Sequence, residues 1–298
     1  MLNVIIVGAG YAGLNAYYEL KRRGINAEIL SSSDEFEIKN AWLRSKILRK
    51  KVTTSFILPK FVNRCKVKDI DISSRTVYTD DGRLDADKLI IAMGAQRKNL
   101  DGFVESLLTA ERINLAPASK YDEYIAIQIA LYLNAIGKSV SYSGGYLDWL
   151  GERIGRRVRM LIESEGIKQA DKAEQVLPPP EPPYPLASYL KVDEFLSVAD
   201  GVYAAGDVAD IGPKLGELAM RMGIYAASRM TGNTKPFRPV FINIIDTGRG
   251  KGMHIRSDLP WKGNIQSVKI SRLRYIMKRF LERYYVYRKG KMGFLVNF

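Results

Sequence analysis

The chain of 298 residues holds one cysteine, Cys65, and one histidine, His254. A single thiol excludes an intramolecular disulfide, a two-cysteine redox centre and a cysteine-rich zinc site, and it suits a reducing cytosol. One histidine removes most of the ground for a histidine metal site or for Ser-His-Asp catalysis. His254 itself reads as an ordinary surface or packed residue. No apolar run reaches the length of about 18 residues that a membrane-crossing helix needs. The opening MLNVIIVGAG has no cationic stretch before its apolar run, so it reads as a first buried strand rather than a signal peptide. Acidic residues are also outnumbered, 32 against 46 Lys and Arg, for a formal charge of +14. Residues 241–298 carry +10 of that excess and the first 240 residues only +4. A tail so basic suggests an anionic partner: a phospholipid surface, nucleic acid or an acidic protein.

Glycine, by contrast, is placed with purpose. The apolar run NVIIV, residues 3–7, leads into GAGYAG and then a helical pattern ending at Gly24. In this strand–loop–helix context the spacing reads as a dinucleotide site. Gly8 permits the tight turn, Gly10 lets backbone approach a pyrophosphate, and Gly13 lets helix and strand pack closely. Tyr11 and Ala12 open the helix, whose N-terminus faces the phosphates. The next strand, NAEIL at 26–30, is followed by Ser31 where an acid usually binds the ribose. Asp34 or Glu35 could reach back, or Ser31 could serve as a weaker ribose partner.

Two further segments share this style. VYTDDGRLDADKLIIAMGA, 77–95, reads as a hairpin and a buried strand ending in Ala92-Met-Gly94-Ala. GVYAAGDVAD, 201–210, reads as a strand ending in Gly206-Asp207. In order and spacing these three motifs resemble the two-dinucleotide-domain flavoproteins, the pyridine nucleotide-disulfide oxidoreductase superfamily, over most of residues 1–232. The resemblance implies FAD on the first glycine loop, cradled by Gly8, Gly10 and Gly13. It implies Val67 beside the adenine, Ala92 and Gly94 on the sugar-phosphate side, and Asp207 at the ribityl chain or a phosphate. It also implies a helix opening at Gly216, Glu217 and Leu218 that faces the flavin ring and stabilises negative charge on it.

The segment NAWLRSKILRK, 40–50, holds no cysteine where the disulfide reductases of that superfamily carry a pair. FINIIDTGRGKGMHI and SRLRYIMKRFLERYYVYRKGKMG are instead similar to the C-terminal regions of type II NADH dehydrogenases and sulfide:quinone reductases. The chain departs from both. It lacks the cysteine pair of sulfide oxidation, and Glu217 and Met222 stand where the dehydrogenases carry a quinone-site pattern.

A second strand–loop–helix unit, RINLAPASKYDEYIAIQIAL at 112–131, has lost every glycine of its loop. The three positions hold Ala116, Ala118 and Tyr121, and Pro117 has no N–H to offer a phosphate. Ser143-Gly144 stands where an acid would bind a ribose. The unit therefore reads as structure rather than as a conventional NAD(P) site. The segment LPPPEPPYP, 177–185, reads as a rigid crossover, with a wall over the flavin and Tyr184 as a stacking candidate as the other reading.

Residues 268–289 place Leu273, Ile276, Met277, Phe280, Tyr284 and Tyr287 at helical spacing, with Lys269, Arg272, Lys278, Arg279, Arg283 and Arg288 on other faces. A basic amphipathic helix of this kind suits an anionic bilayer surface, or docks on its own domain. No nucleic-acid-binding fold accompanies the charge. The expected fold class is α/β: two Rossmann-like dinucleotide-binding domains, the second inserted in the first and degenerate, plus a basic C-terminal helical region. The expected boundaries are 1–108 and 178–240 for the FAD domain, 109–177 for the insert, and 241–298 for a membrane- or partner-facing tail. The expected function is an FAD-dependent oxidoreductase at the cytoplasmic face of the membrane. A small donor, NAD(P)H bound weakly or another reductant, would reduce FAD, and a quinone or similar acceptor would reoxidise it. Glu217 is the candidate for proton handling, no metal is expected, and a homodimer is possible. The alternative is a non-catalytic flavoprotein subunit that binds a partner through its tail.

Overall fold

The computed structural model describes residues 2–293. The first unit runs β1 (Val4–Val7), α1 (Tyr11–Arg22), β2 (Ala27–Ser31), β3 (Glu35–Glu37), α2 (Lys39–Leu48), β4 (Ser55–Ile57), β5 (Val62–Arg64), β6 (Val67–Asp71), β7 (Thr76–Thr79), β8 (Arg83–Asp85), β9 (Lys88–Ile91) and α3 (Leu100–Thr109). The inserted unit runs β10 (Arg112–Ala116), α4 (Glu123–Ala135), β11 (Ser139–Tyr142), α5 (Glu152–Ser164), β12 (Lys168–Gln169) and β13 (Gln175–Val176). The chain then returns through β14 (Ser197–Ala199), β15 (Val202–Ala204) and α6 (Gly216–Met230). It finishes with β16 (Phe241–Asp246), β17 (Gly252–Ser257), β18 (Gln266–Ser271) and α7 (Arg272–Tyr287).

The apolar runs at β1 and β9 occupy the middle of a six-stranded sheet, ordered β14-β15-β9-β1-β2-β5. Covered on both faces, such strands need no polar alternation, and all four residues of β1 are buried. Apart from β14, which pairs antiparallel with β15, the strands of this sheet are parallel. The inserted unit forms its own parallel sheet, ordered β12-β11-β10-β13. Two dinucleotide folds are thus present, the second threaded between α3 and β14 of the first. The crossover at 177–185 is tied to the first unit by paired backbone hydrogen bonds between Gln96 and Glu181, 2.9 and 2.6 Å.

The expected helical region is present in the tail as α7, and a sheet precedes it. Residues 241–271 fold as an antiparallel meander, β16-β17-β18, before the helix begins. Alternation in FINIID and GMHIRS is the sequence cause: Met253, Ile255 and Ser257 are buried while His254 and Arg256 are half-buried. The buried face packs on the inserted unit, where the Ser257 hydroxyl donates to the Leu150 carbonyl at 2.8 Å. Residues 268–271, expected to be helical, belong to β18, so α7 starts at Arg272 and is capped by the Ser271 hydroxyl.

The orientation of α7 is the reverse of an ordinary amphipathic helix. Its buried residues are Lys278 and Tyr285. Four of its large apolar residues face out: Leu273 is 66% exposed, Ile276 53%, Phe280 55% and Tyr287 81%. The charged stripe is tolerable inside because its partners wait there. Arg44 of α2 meets Glu282 at 2.6 Å, and Arg279 meets Asp246 at the end of β16. Buried charges persist when paired in this way.

Candidate functional site

The glycine loop after β1 is built as its spacing implies. A Cβ on Gly13 would lie 1.8 Å from the Gly8 carbonyl oxygen, so helix and strand can approach only with glycine there. Gly8, at φ +106°, turns the chain against the Ala92 carbonyl. Gly10 is different: a Cβ there would meet nothing within 4 Å. Open space beside backbone at a helix start is what a bound pyrophosphate requires. Gly10 caps α1 without a side-chain hydrogen bond, which leaves the first N–H groups free for a ligand.

Beside this loop opens a cavity of about 1050 Å³. Tyr11, Asp207, Gly216 and Glu217, all expected site residues, line it together. Leu215 caps α6 without a side-chain hydrogen bond, so the uncapped N-terminus of that helix also opens on the cavity. Asp207 sits among charges. Burial pushes its carboxyl up to about 6, and Lys214 and Arg97 partly oppose that shift. It makes no hydrogen bond among the described residues. Lys214 donates to the Ala209 carbonyl at 2.9 Å, and burial lowers its amine despite Asp207. Glu217 pairs with Arg221 one turn on, burial raises its carboxyl, and one of its oxygens has no partner.

The remaining expected residues are supporting ones. Ala12 and Leu218 are buried, Ala12 under Gly206, where an added Cβ would meet its own at 2.9 Å. Val67 is buried in β6. Gly94, at φ +75°, has open space around it. The Ser31 hydroxyl is engaged with the backbone of Ser33, and Asp34 is paired with Arg64 at 2.8 Å. Tyr184 is 64% exposed, whereas Pro180 of the same crossover lines the cavity.

Lining residues that were not expected as site residues include Trp42, Arg97, Tyr124, Lys214 and Lys278. Lys214, seven residues after Asp207 in a loop, carried a weak signal. Lys278 carried none, since on the helical pattern it counts as one more surface cation. His254 also lines the cavity. Burial and the nearby Arg274, Lys269 and Arg256 hold its imidazole down at about 4, so it is neutral at physiological pH.

The degenerate loop of the inserted unit is packed shut. A Cβ on Gly144 would lie 2.7 Å from the Pro117 ring, so the two loop ends touch. The Glu123 carboxylate fills the crook beside them. It accepts from the Leu147 N–H at 2.7 Å and lies against Gly145, and burial raises it to about 7. Ser119 caps Tyr121 and donates to Asp122, whose other oxygen holds Arg97 at 2.6 Å. The Pro117 ring against Gly144 and the Glu123 carboxylate thus fill the space that a pyrophosphate would use, and the Tyr121 N–H is taken by Ser119.

Two dinucleotide-type folds thus flank one largely apolar cavity. Residues 2–174 match the family model of the pyridine nucleotide-disulphide oxidoreductases, and the chain belongs to that family. No curated protein matches the chain significantly. Among solved structures it is similar to the sulfide:quinone oxidoreductase of the hyperthermophilic bacterium Aquifex aeolicus, with TM-score 0.79 and 16% identity over 98% of this chain and 93% of that one. It is similar to the NADH:rubredoxin oxidoreductase of Clostridium acetobutylicum, with TM-score 0.60 and 16% identity over 89% and 84%. It is also similar to the water-forming NADH oxidase of Lactobacillus brevis, with TM-score 0.65 and 14% identity over 86% and 75%. At such identities the likeness shows the fold alone.

The family is flavin-dependent, and the residues present fit FAD. The open space at Gly10, two uncapped helix N-termini and the unbonded Asp207 carboxylate supply a phosphate cradle, a dipole and a hydroxyl acceptor.

Proposed function

We propose that the chain is an FAD-dependent oxidoreductase that takes electrons from a small donor and passes them to a quinone or similar acceptor at an anionic membrane surface. The observation that carries this reading is the cavity. One wall is the expected cofactor side, Asp207 and the start of α6; the other is apolar and supplied by β16 and α7. A flat apolar molecule held there would lie against the ring-binding side. FAD supplies the two-electron chemistry when bound. Lys278, buried in the wall with its amine near 8, can hold and release a proton at Nζ. Glu217 remains a second proton-handling candidate through its unpartnered oxygen.

The outward apolar row of α7, flanked by Arg272, Arg283 and Arg288, supports the membrane surface as the place where the acceptor is met. No helix among the described residues is long and apolar enough to cross a membrane. The filled loop at 116–121 supports a donor other than an ordered NAD(P)H. The same loop favours a second reading, a flavin-holding subunit that receives electrons from a partner.

Anaerobic stopped-flow of the purified protein against NADH, NADPH and sulfide, followed by a soluble quinone, tests the proposal. Flavin bleaching by a small donor and recovery with quinone are expected. A flavin that none of the donors reduces, in a protein that co-purifies with a partner, would transfer the weight to the second reading.

A further inference from the structure

The meander turns one face toward the cavity, and that face is cationic. Along β17 the side chains alternate, so His254 and Arg256 share a side while Met253 and Ile255 are buried on the other. Register sets Lys269 of β18 beside His254, and Ile244 and Ile242 of β16 beside His254 and Arg256. His254 and Arg274, from the first turn of α7, line the cavity directly.

The charges there are not balanced. Glu217 pairs with Arg221 and lies near enough to act on Arg256 as well, so one carboxylate faces two guanidiniums. Among the described residues no carboxylate forms an ion pair with Arg256, Lys269 or Arg274. The Arg274 guanidinium has only the Met277 sulfur, at 3.4 Å. The Nε of Arg256 is buried with no hydrogen-bond partner. Lys269 is exposed and solvated. Arg256 and Arg274 are half-buried, so their guanidiniums stay partly open to a ligand, and planar N–H forks match carboxylate, sulfonate or phosphate oxygens. The cavity beside them is apolar, with Ile242, Ile244, Met277 and Leu281 in its wall. An apolar wall ending in unmatched cations is complementary to an amphiphilic anion, not to a neutral ring alone.

We propose that this end of the cavity receives an anionic group, carboxylate, sulfonate or phosphate, carried on the flat apolar body of the electron acceptor. The inference rests on the reading of the cavity as the acceptor site and narrows its substrate class. Arg274 makes the direct contact, and Arg256 and Lys269 supply the surrounding positive potential. His254, neutral, can donate or accept one hydrogen bond at the same spot.

The test is equilibrium binding to the protein as purified, read by tryptophan quenching, for which Trp42 in the cavity wall is the reporter. A naphthoquinone sulfonate is compared with the unsubstituted naphthoquinone. The sulfonate is expected to bind about tenfold tighter at low salt, with the ratio shrinking as salt is added. Arg274→Gln and Arg256→Gln, each checked for retained melting temperature, should bring the ratio toward one. Equal affinity of the two quinones, or a ratio that neither substitution moves, overturns the proposal while sparing the acceptor site. Binding of neither quinone overturns both. Binding of dispersed short-chain phosphatidylglycerol in place of the sulfonate would assign these cations to a lipid headgroup and also overturn it.

Discussion

The amine of Lys278 on α7 donates to the Gln128 side-chain oxygen on α4 at 3.0 Å, joining residues 150 positions apart. Gln128 in turn donates to the Asp246 carbonyl at 2.5 Å and accepts from the Asp246 N–H at 2.9 Å. One polar junction therefore locks the tail, the inserted unit and the cavity wall together. Burial lowers the Lys278 amine to about 8 in the fold, below its ordinary 10.5. Below pH 8 the fold carries a charge that burial disfavours, and between about pH 8 and 10 the unfolded chain binds the extra proton. Stability should therefore rise with pH across that window. Lys278→Met should flatten the rise and remove a burial cost of up to about 3 kcal/mol at neutral pH. Urea melts at pH 7 and pH 9 check this; an unchanged slope in the variant would place the titration elsewhere.

In the proposed FAD site, Asp207 should set cofactor affinity against stability. Its carboxyl sits near 6 rather than 3.8, so the fold binds the extra proton between about pH 4 and 6. The cofactor-free protein should lose stability as pH rises through that range. Asp207→Asn should raise its melting temperature at pH 7 and weaken FAD binding, because an acceptor for hydroxyl protons is lost. Differential scanning calorimetry and FAD titration on the same sample measure the two effects, and a variant that binds FAD as tightly as the parent would remove Asp207 from the site.

The two central glycines of the first loop should fail differently. Gly10→Val places its side chain in open space at φ −80°, which any residue adopts, so the protein should fold but not hold FAD. Gly13→Val drives Cβ into the Gly8 carbonyl and should prevent folding. Circular dichroism together with the flavin content of purified protein separates the outcomes. A yellow Gly10→Val protein would sink the cofactor assignment.

Membrane attachment should depend on the outward row of α7. Because α7 also buries Lys278 and Tyr285, cutting it off would damage the fold, and point changes are the cleaner probe. Leu273→Glu with Phe280→Glu should change stability by no more than about 1 kcal/mol, as for exposed positions. The same pair should abolish flotation with anionic liposomes. Binding by the parent should weaken with salt, since each basic residue near such a surface contributes about 1 kcal/mol. Undiminished flotation of the double variant would free the helix from this role.

NADH and NADPH should bind the inserted unit poorly, with dissociation constants above about 100 µM, or roughly −5.5 kcal/mol. Pro117 against Gly144 and the Glu123 carboxylate leave little space for a pyrophosphate, and Pro117 offers it no N–H. Titration calorimetry is the measurement. A low micromolar constant lost in Ser119→Trp would mean that this loop opens to a nucleotide after all.

What the sequence determined lies in local chemistry. GAGYAG after an apolar run fixes a strand, a turn and a helix start, because only glycine tolerates the Gly8 turn and the Gly13 contact. Buried runs at NVIIV and KLIIA fix the central parallel strands, and missing glycines at 116–121 mark the second loop as altered. The meander at 241–271 was legible only as alternation, and a run of charged and aromatic residues masked where β18 ends and α7 begins. Tertiary structure alone decided which face of α7 turns inward. Helical periodicity gives two stripes, one apolar and one charged, and ordinarily the apolar stripe is buried. Here Arg44, Gln128 and Asp246, from distant parts of the chain, supply partners for Glu282, Lys278 and Arg279, so the charged stripe goes in and the apolar one is left to the surface. No local signal encodes that choice, because it depends on which partners the fold brings to the same place.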